Sequence, residues 1–513
     1  MTRNRKRVSR RTFLKRTTAV SLGLVGAGGV AAPTFRRRTR PLAAPPAAQH
    51  GQEPRGLRLP QKDRAAEGRF GLMFKQLPPF APPDALLTAL AARMRESAEA
   101  PLAQGDNPQL PAGFTFLGQF IDHDLTFDTT PLTDQQADPD AVRNFRSARY
   151  DLDSVYGLGP TQQPHLYDPR DPAKLLIAGL HDPHQPDDLP RQSNGTALIG
   201  DPRNDENLNI CQLHLAFMKF HNVLVDHVRA QGVGADDVFE EARRLTRWHF
   251  QWVVIHDFLP RVVGRSMLDQ LLVERGDQPA KVKLAFYKPK NPNKPMLPVE
   301  FAVAAYRFGH SLIRPSYRLN ASVGAAAFEE PPTEQSLNGS RPLPPSMVIE
   351  WHHFFDIAGQ AAPQRARRID SQLSPRLFHL PSSLIPPPDP HVSLAERNLL
   401  RGKRLGLPSG QAVARAMGVP VLSNQELGLG QEAGWQGEAP LWYYLLKEAE
   451  LQHQGVQLGA VGGRIVGEVL VGLLERDRNA YLNQDPRFRP VPPIAPAPGR
   501  FAMGDLLKFA GVA

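Results

Sequence analysis

Proline fills 51 of 513 positions, about a tenth of the chain and roughly double the usual share of about 5%. Each proline lacks a backbone N–H and fixes φ, so it ends or kinks a helix and is barred from central strands. The chain must therefore fold as separate regular elements joined by long irregular connections. Periodicity shows which elements these are. From Arg243 to Leu259, bulky apolar residues recur at helical spacing through Leu245, Trp248, Trp252 and Ile255. Asn204 to Arg229 sets Leu208, Cys211, Leu215, Met218 and Val225 near one face, and Ile465 to Glu475 offers Ile465, Val469 and Leu473. Alternating strand patterns are few, so the class reads as mainly α with long loops. The 41% hydrophobic content is enough for a sizeable core. Cys211 is the one cysteine, which rules out an internal disulfide and reads as a small core hydrophobe.

The formal charge of +10 invites a nucleic-acid reading, but its distribution argues against it. Residues 1–40 hold twelve Lys and Arg and no acid; the remainder has 49 Lys and Arg against 51 Asp and Glu. The basic excess belongs to the leader. There, Ser9-Arg10-Arg11-Thr12-Phe13-Leu14-Lys15 precedes an apolar run from Thr17 to Ala32. This resembles a twin-arginine export signal and implies a periplasmic or extracellular location; a disordered basic tail is the alternative. The run is too short for a stable membrane span, which needs about 20 residues. We expect a signal over 1–32, with cleavage near Val30-Ala31-Ala32 or Ala43-Ala44. A Pro/Ala/Arg linker follows over 33–65, then one large domain over 66–513. The Pro-rich stretch from Glu329 to Pro345 is expected to be a surface loop.

Chemistry concentrates in Phe116-Leu117-Gly118-Gln119-Phe120-Ile121-Asp122-His123-Asp124-Leu125. On a helix, Gln119, Asp122 and His123 share one face, while Asp124 is turned by about 100°. An acid–base group and a metal-seeking carboxylate would thus leave one helix in different directions. The residues alone also suit a metal-dependent hydrolase or a plain polar face. Further on, Ser147 to Gly157 alternates oxygen-bearing residues as a hard cation prefers. Arg203 and Glu206, three apart at a helix start, can face one pocket. Arg307 and His310 share a helical face in Ala305-Tyr306-Arg307-Phe308-Gly309-His310. His214, His221 and His227 are spaced 7 and 6 apart, lack the usual i, i+4 ligand spacing, and read as structural.

The string Gly-Gln-Phe-Ile-Asp-His-Asp-Leu-Thr resembles the distal-histidine motif of animal haem peroxidases, and the later motifs follow in that family's order. The resemblance implies a mainly α, large single-domain fold with haem b buried between helices. It implies His123 as the distal acid–base residue, with Gln119 beside it and Arg203 assisting peroxide cleavage. His310 would be the proximal iron ligand, Asn398 its hydrogen-bond partner, and Arg307 and Arg401 the partners of haem propionates. Asp122 and Glu206 match carboxylates that can esterify haem. Asp124, Ser147, Arg149 (through its carbonyl), Asp151 and Asp153 match a calcium shell. Asn207 stands where some members carry a methionine that forms a sulfonium link, so that link should be missing here.

The implied activity is reduction of hydrogen peroxide through a ferryl intermediate, with oxidation of small organic donors or halides. Two alternatives stay open. One is a fatty-acid dioxygenase on the same fold, disfavoured because Arg307 stands where such members place a radical-forming tyrosine. Tyr306, one step back, is expected to face elsewhere. The other is a secreted binding or adhesion module with an inactive haem site.

Overall fold

The computed structural model describes residues 69–97, 102–127, 144, 146–178, 187–275, 278–289, 295–382, 384–385, 389–430 and 434–513. The expected signal and linker lie outside these residues. Helices dominate, as the periodicity predicts: α1 (Asp84–Arg93), α2 (Gly113–Leu125), α3 (Asp153–Tyr156), α4 (Leu208–Ala230) and α5 (Val238–Val253) come first. Then follow α6 (Leu259–Val263), α7 (Arg265–Leu271), α8 (Leu394–Arg404), α9 (Gly410–Met417), α10 (Leu441–His453) and α11 (Ala460–Arg476). The strands among the described residues pair only in twos, as where Arg69–Gly71 runs parallel to Met296–Pro298. Among the described residues no helix is long and apolar enough to cross a membrane.

Helix α2 lies at the centre. Phe114, Leu117, Phe120, Ile121 and Leu125 are all buried, so apolar groups leave it in several directions and it needs neighbours around it. Phe120 stacks on Phe217 of α4 at 4.6 Å, and Phe250 of α5 meets both rings edge-on at 5.8 and 5.5 Å. Such aromatic contacts add about 0.5–1.5 kcal/mol beyond area burial.

Helix boundaries depend on capping. Asn207 accepts from the N–H of Ile210 and starts α4 at Leu208, so the helix expected from Asn204 begins four residues later. Pro202–Asp205 is instead a 3-10 turn capped by Asp201, whose side chain accepts from the N–H of Arg203. The helix expected from Arg243 starts earlier, at Val238, and after Val253 continues as a π-turn over Val254–Phe258. The buried Glu448 carboxylate accepts from the N–H groups of Val461 and Gly462 and so satisfies the start of α11.

Residues 330–335 are exposed, as expected of a surface loop, but the rest of the stretch 329–345 turns partly inward. Leu337 and Leu343 are buried. The N–H of Gly339 donates to Glu206 O at 3.1 Å, and that of Ser340 to Asp205 O at 2.6 Å. The proline-rich segment thus backs the Arg203–Asn207 turn.

Gly113 shows how tightly α2 is seated. Its N–H donates to Phe354 O at 2.8 Å, and an added Cβ would lie 2.6 Å from that oxygen and 2.5 Å from the Phe355 ring. Backbone cannot yield as a side-chain end does. Gly113→Ala should therefore destabilise the protein by about 1–3 kcal/mol, read as a lower denaturant midpoint at unchanged m.

Candidate active site

A cavity of about 270 Å³ opens beside α2. Gln119, Asp122 and His123 from α2 line it together with Arg203, Glu206 and Asn207 from the turn before α4. Arg307 and His310 line it as well, as do Asn398 and Arg401 of α8. The structure thus brings residues from four separated segments into one cavity. Arg307 and His310 sit in a 3-10 helix, Ala305–His310, where residues three apart eclipse one another and so share a face.

His123 is held in one tautomer. Its Nδ1–H donates to Asn204 Oδ1 at 2.8 Å, and Asn204 Nδ2 donates to His214 Nδ1 at 2.9 Å. Burial pushes the His214 imidazole down to about 3, so it stays neutral, and the Asn204 Nδ2 donor facing its Nδ1 makes that nitrogen the acceptor. With both ends of the amide committed, Nε2 of His123 carries the lone pair. It lies 4.0 Å from Glu206 Oε1. Asn204 and His214 were not legible as site residues: His214 reads as structural by its spacing, and its contact runs through an asparagine.

Gln119 Nε2 donates to Glu206 Oε1, and Asn207 Nδ2 donates to Gln119 Oε1 at 3.4 Å. Burial raises the Glu206 carboxyl to about 7, with Arg203 opposing. Asp122 Oδ1 accepts from Thr126 Oγ1 at 3.0 Å.

Arg203 is fixed by Asp201: Nε donates to Oδ1 at 3.1 Å and Nη2 to Oδ2 at 2.8 Å. Nη2 also donates to the carbonyls of His123 (2.9 Å) and Thr126 (2.6 Å), and the guanidinium lies 4.4 Å over the Phe127 ring. Asp201 holds Arg146 as well. Burial works against ionising Asp201, but Arg146 and Arg203 overcome it and hold the carboxyl well below the usual range.

The Asn398 amide lies 2.7 Å from His310 Nδ1, with Nδ2 facing the ring. A half-turn of that amide puts Oδ1 on Nδ1–H and leaves the Nε2 lone pair for a metal. Tyr306 corrects the expectation that it faces elsewhere. It lines the cavity, stacks on Phe301 at 4.8 Å, and donates its hydroxyl to Gly118 O at 3.2 Å.

Asp124 leaves α2 in another direction, away from the cavity lining, as the 100° offset predicts. Its oxygens accept from Leu152 N and Ser154 Oγ, both at 3.1 Å. Asp124, Asp151 and Asp153 each bring an oxygen within 4.8 Å of the others. Burial, then Asp153 and Asp151, push Asp124 well up; burial and Asp151, against Arg146, bring Asp153 to about 7. Ser147 Oγ donates to Asp151 Oδ2 at 2.8 Å, and the Arg149 side chain turns to Asp477 at 4.0 Å.

A profile of the animal haem peroxidase family matches residues 130–428, more than half of the chain. The protein belongs to that family. Thyroid peroxidase of Homo sapiens is 27% identical over 332 residues, covering 60% of this chain and 30% of the relative. The chain spans less than a third of the length of the curated relatives it matches. Among solved structures, peroxidase A of Dictyostelium discoideum superposes with a TM-score of 0.54 at 16% identity, over 82% of this chain and 89% of that one. Fatty acid alpha-dioxygenase of Oryza sativa gives 0.56 at 18%, over 84% and 77%. These share the mainly α fold.

The family implies haem, and the cavity suits one: two histidines line it, each with Nδ1 engaged by an asparagine, and Arg307 and Arg401 add cationic groups for acidic substituents. Glu206 sets a pH dependence. Its raised pKa means that the folded state holds the proton more tightly than the unfolded chain. The stability this contributes is fully present below about pH 4.5 and lost as pH rises through about 7. In haem-free protein, Glu206→Gln should flatten the fall in melting temperature between those limits.

Proposed function

We propose that the protein is a haem-dependent peroxidase that reduces hydrogen peroxide and oxidises small organic donors or halides. The carrying observation is the keyed tautomer of His123, which presents a basic Nε2 in the same cavity as His310. Haem, when bound, supplies the electrons for peroxide cleavage and passes the oxidising equivalents to the donor. His310 would ligate its iron with Asn398 behind it, and Arg307 and Arg401 would meet its propionates. Asp122 and Glu206 line the cavity as the carboxyls open to ester formation.

His123 Nε2 takes a proton from one peroxide oxygen and returns it to the departing one, acting as base and then as acid. The Asn204 amide holds Nδ1–H throughout, so the ring need not change tautomer. Arg203 keeps a fixed positive charge at the wall. Its Nε and Nη2 are engaged, and among the described residues Nη1 makes no hydrogen bond, so it is the donor left for developing negative charge. Gln119, gripped by Glu206 and Asn207, orders the polar side of the pocket.

His123→Ala should lower kcat/KM for peroxide by about 10²–10⁴ with haem content unchanged. Asn204→Asp places a carboxylate on Nδ1–H and raises the His123 pKa, so the acidic limb of the pH–rate profile should move to higher pH. Full turnover in the His123 variant would contradict the assignment.

A second reading draws on Tyr306. It lines a cavity whose lining also includes Phe328, Leu380, Leu384 and Ile385, which suits an apolar chain. Oxygen uptake with linoleate and no added reductant would favour fatty-acid oxygenation.

We also propose calcium at Asp124, Asp151 and Asp153, with Ser147 and the Arg149 carbonyl completing an oxygen shell, and export of the chain by the twin-arginine route. Without a cation, burial and the neighbouring carboxylates favour the protonated forms of Asp124 and Asp153, and the stability that Asp153 contributes fades as pH rises through about 7. A cation holds both ionised. The melting-temperature gain from added calcium should therefore be larger at about pH 8 than at about pH 5, and Asp124→Asn should abolish it.

A further inference from the structure

A second cluster of ligand-type side chains lies outside the cavity and outside the Asp124 cluster. Glu350, His352 and His353 each offer one ligand atom, and the three atoms lie within 4.8 Å of one another. We propose that they form a binding site for one divalent transition-metal ion of the zinc class.

The geometry carries this assignment. His353 Nε2 lies 3.4 Å from Glu350 Oε2. Metal bonds of about 2.0–2.2 Å at a tetrahedral angle place two ligand atoms roughly 3.3–3.5 Å apart, so this pair already has the spacing of two ligands on one ion. That same Nε2 is buried and makes no hydrogen bond among the described residues, a cost that a metal bond would remove. The His352 and His353 rings lie 4.1 Å apart between centroids, so His352 needs only a side-chain rotation to bring in the third ligand.

The platform is rigid. His352 and His353 sit in a 3-10 turn, Trp351–His353, anchored by the buried Trp351. The N–H of Glu350 donates to Leu319 O at 2.9 Å, that of His353 to Glu350 O at 3.0 Å, and that of Gln364 to His353 O at 3.0 Å. Two imidazoles and one carboxylate suit zinc, nickel or copper; calcium and magnesium prefer oxygen-rich sets. Three protein ligands leave a fourth position for water. The carbonyl that seats Gly113 belongs to Phe354, the next residue, so a bound ion would brace the turn on which α2 begins.

The test is calorimetric titration of zinc chloride into the full-length, haem-loaded protein. Millimolar calcium keeps the Asp124 cluster out of competition. The expected result is one zinc per chain, with affinity at least tenfold weaker in His352→Ala and in His353→Ala, and weakened in Glu350→Gln, a variant that keeps size and shape. A melting-temperature gain with zinc in the parent protein, lost in the variants, would agree. The proposal is overturned if all variants bind zinc like the parent, or if the parent binds none more tightly than about 100 µM.

Discussion

The buried carboxylate of Asp201 holds two guanidinium groups, and much of the site hangs on that pairing. Arg203 on one side reaches the cavity wall and clasps the carbonyls of His123 and Thr126. Arg146 on the other side extends to Asp153 at 3.2 Å, one of the three clustered carboxylates. Removing one partner of such a buried pair costs about 3–5 kcal/mol, because the remaining charge is left uncompensated. The network does more than hold charge. It fixes the end of α2 beside the cavity, and it joins the cavity to the Asp124–Asp151–Asp153 carboxylates through side chains alone.

Helix α2 supplies the second link. His123 and Asp124 are neighbours in sequence but leave the helix toward different tasks, one into the cavity and one to Leu152 and Ser154. A helix packed by Phe120 against Phe217 and Phe250 has little freedom to rotate. The cation proposed at Asp124 would therefore set the orientation of His123 without touching it. Asn204 then sets the tautomer. Position and tautomer of His123 are thus set by different partners, which is how a site on rigid elements keeps its geometry.

What the sequence disclosed follows from which interactions are local. The helical class, α2 and its two-sided polar pattern were legible because they depend on periodicity. The residues that gather in the cavity, Gln119, His123, Arg203, Glu206, His310 and Asn398 among them, were legible as an ordered set of motifs. Asn204 was not: a polar residue at a helix start reads as a cap, and its real partners lie 81 residues back and 10 residues on. Asp201 looks like a capping residue and is one, yet it also binds Arg146 from 55 residues away. The burial of Leu337 with the backbone contacts of Gly339 and Ser340, and the placement of Tyr306, escaped for the same reason. Both depend on which backbone lies opposite, and composition says nothing of that.

The central claim is that His310 and His123 share one haem cavity and do different work there. The direct test is a haem titration followed by absorption, in the parent protein and in His310→Ala. The account predicts one haem per chain with an imidazole-ligated ferric spectrum that one equivalent of hydrogen peroxide perturbs, and loss of that ligation in the variant. A parent protein that takes up no haem, or a His310→Ala spectrum identical to the parent's, would contradict it.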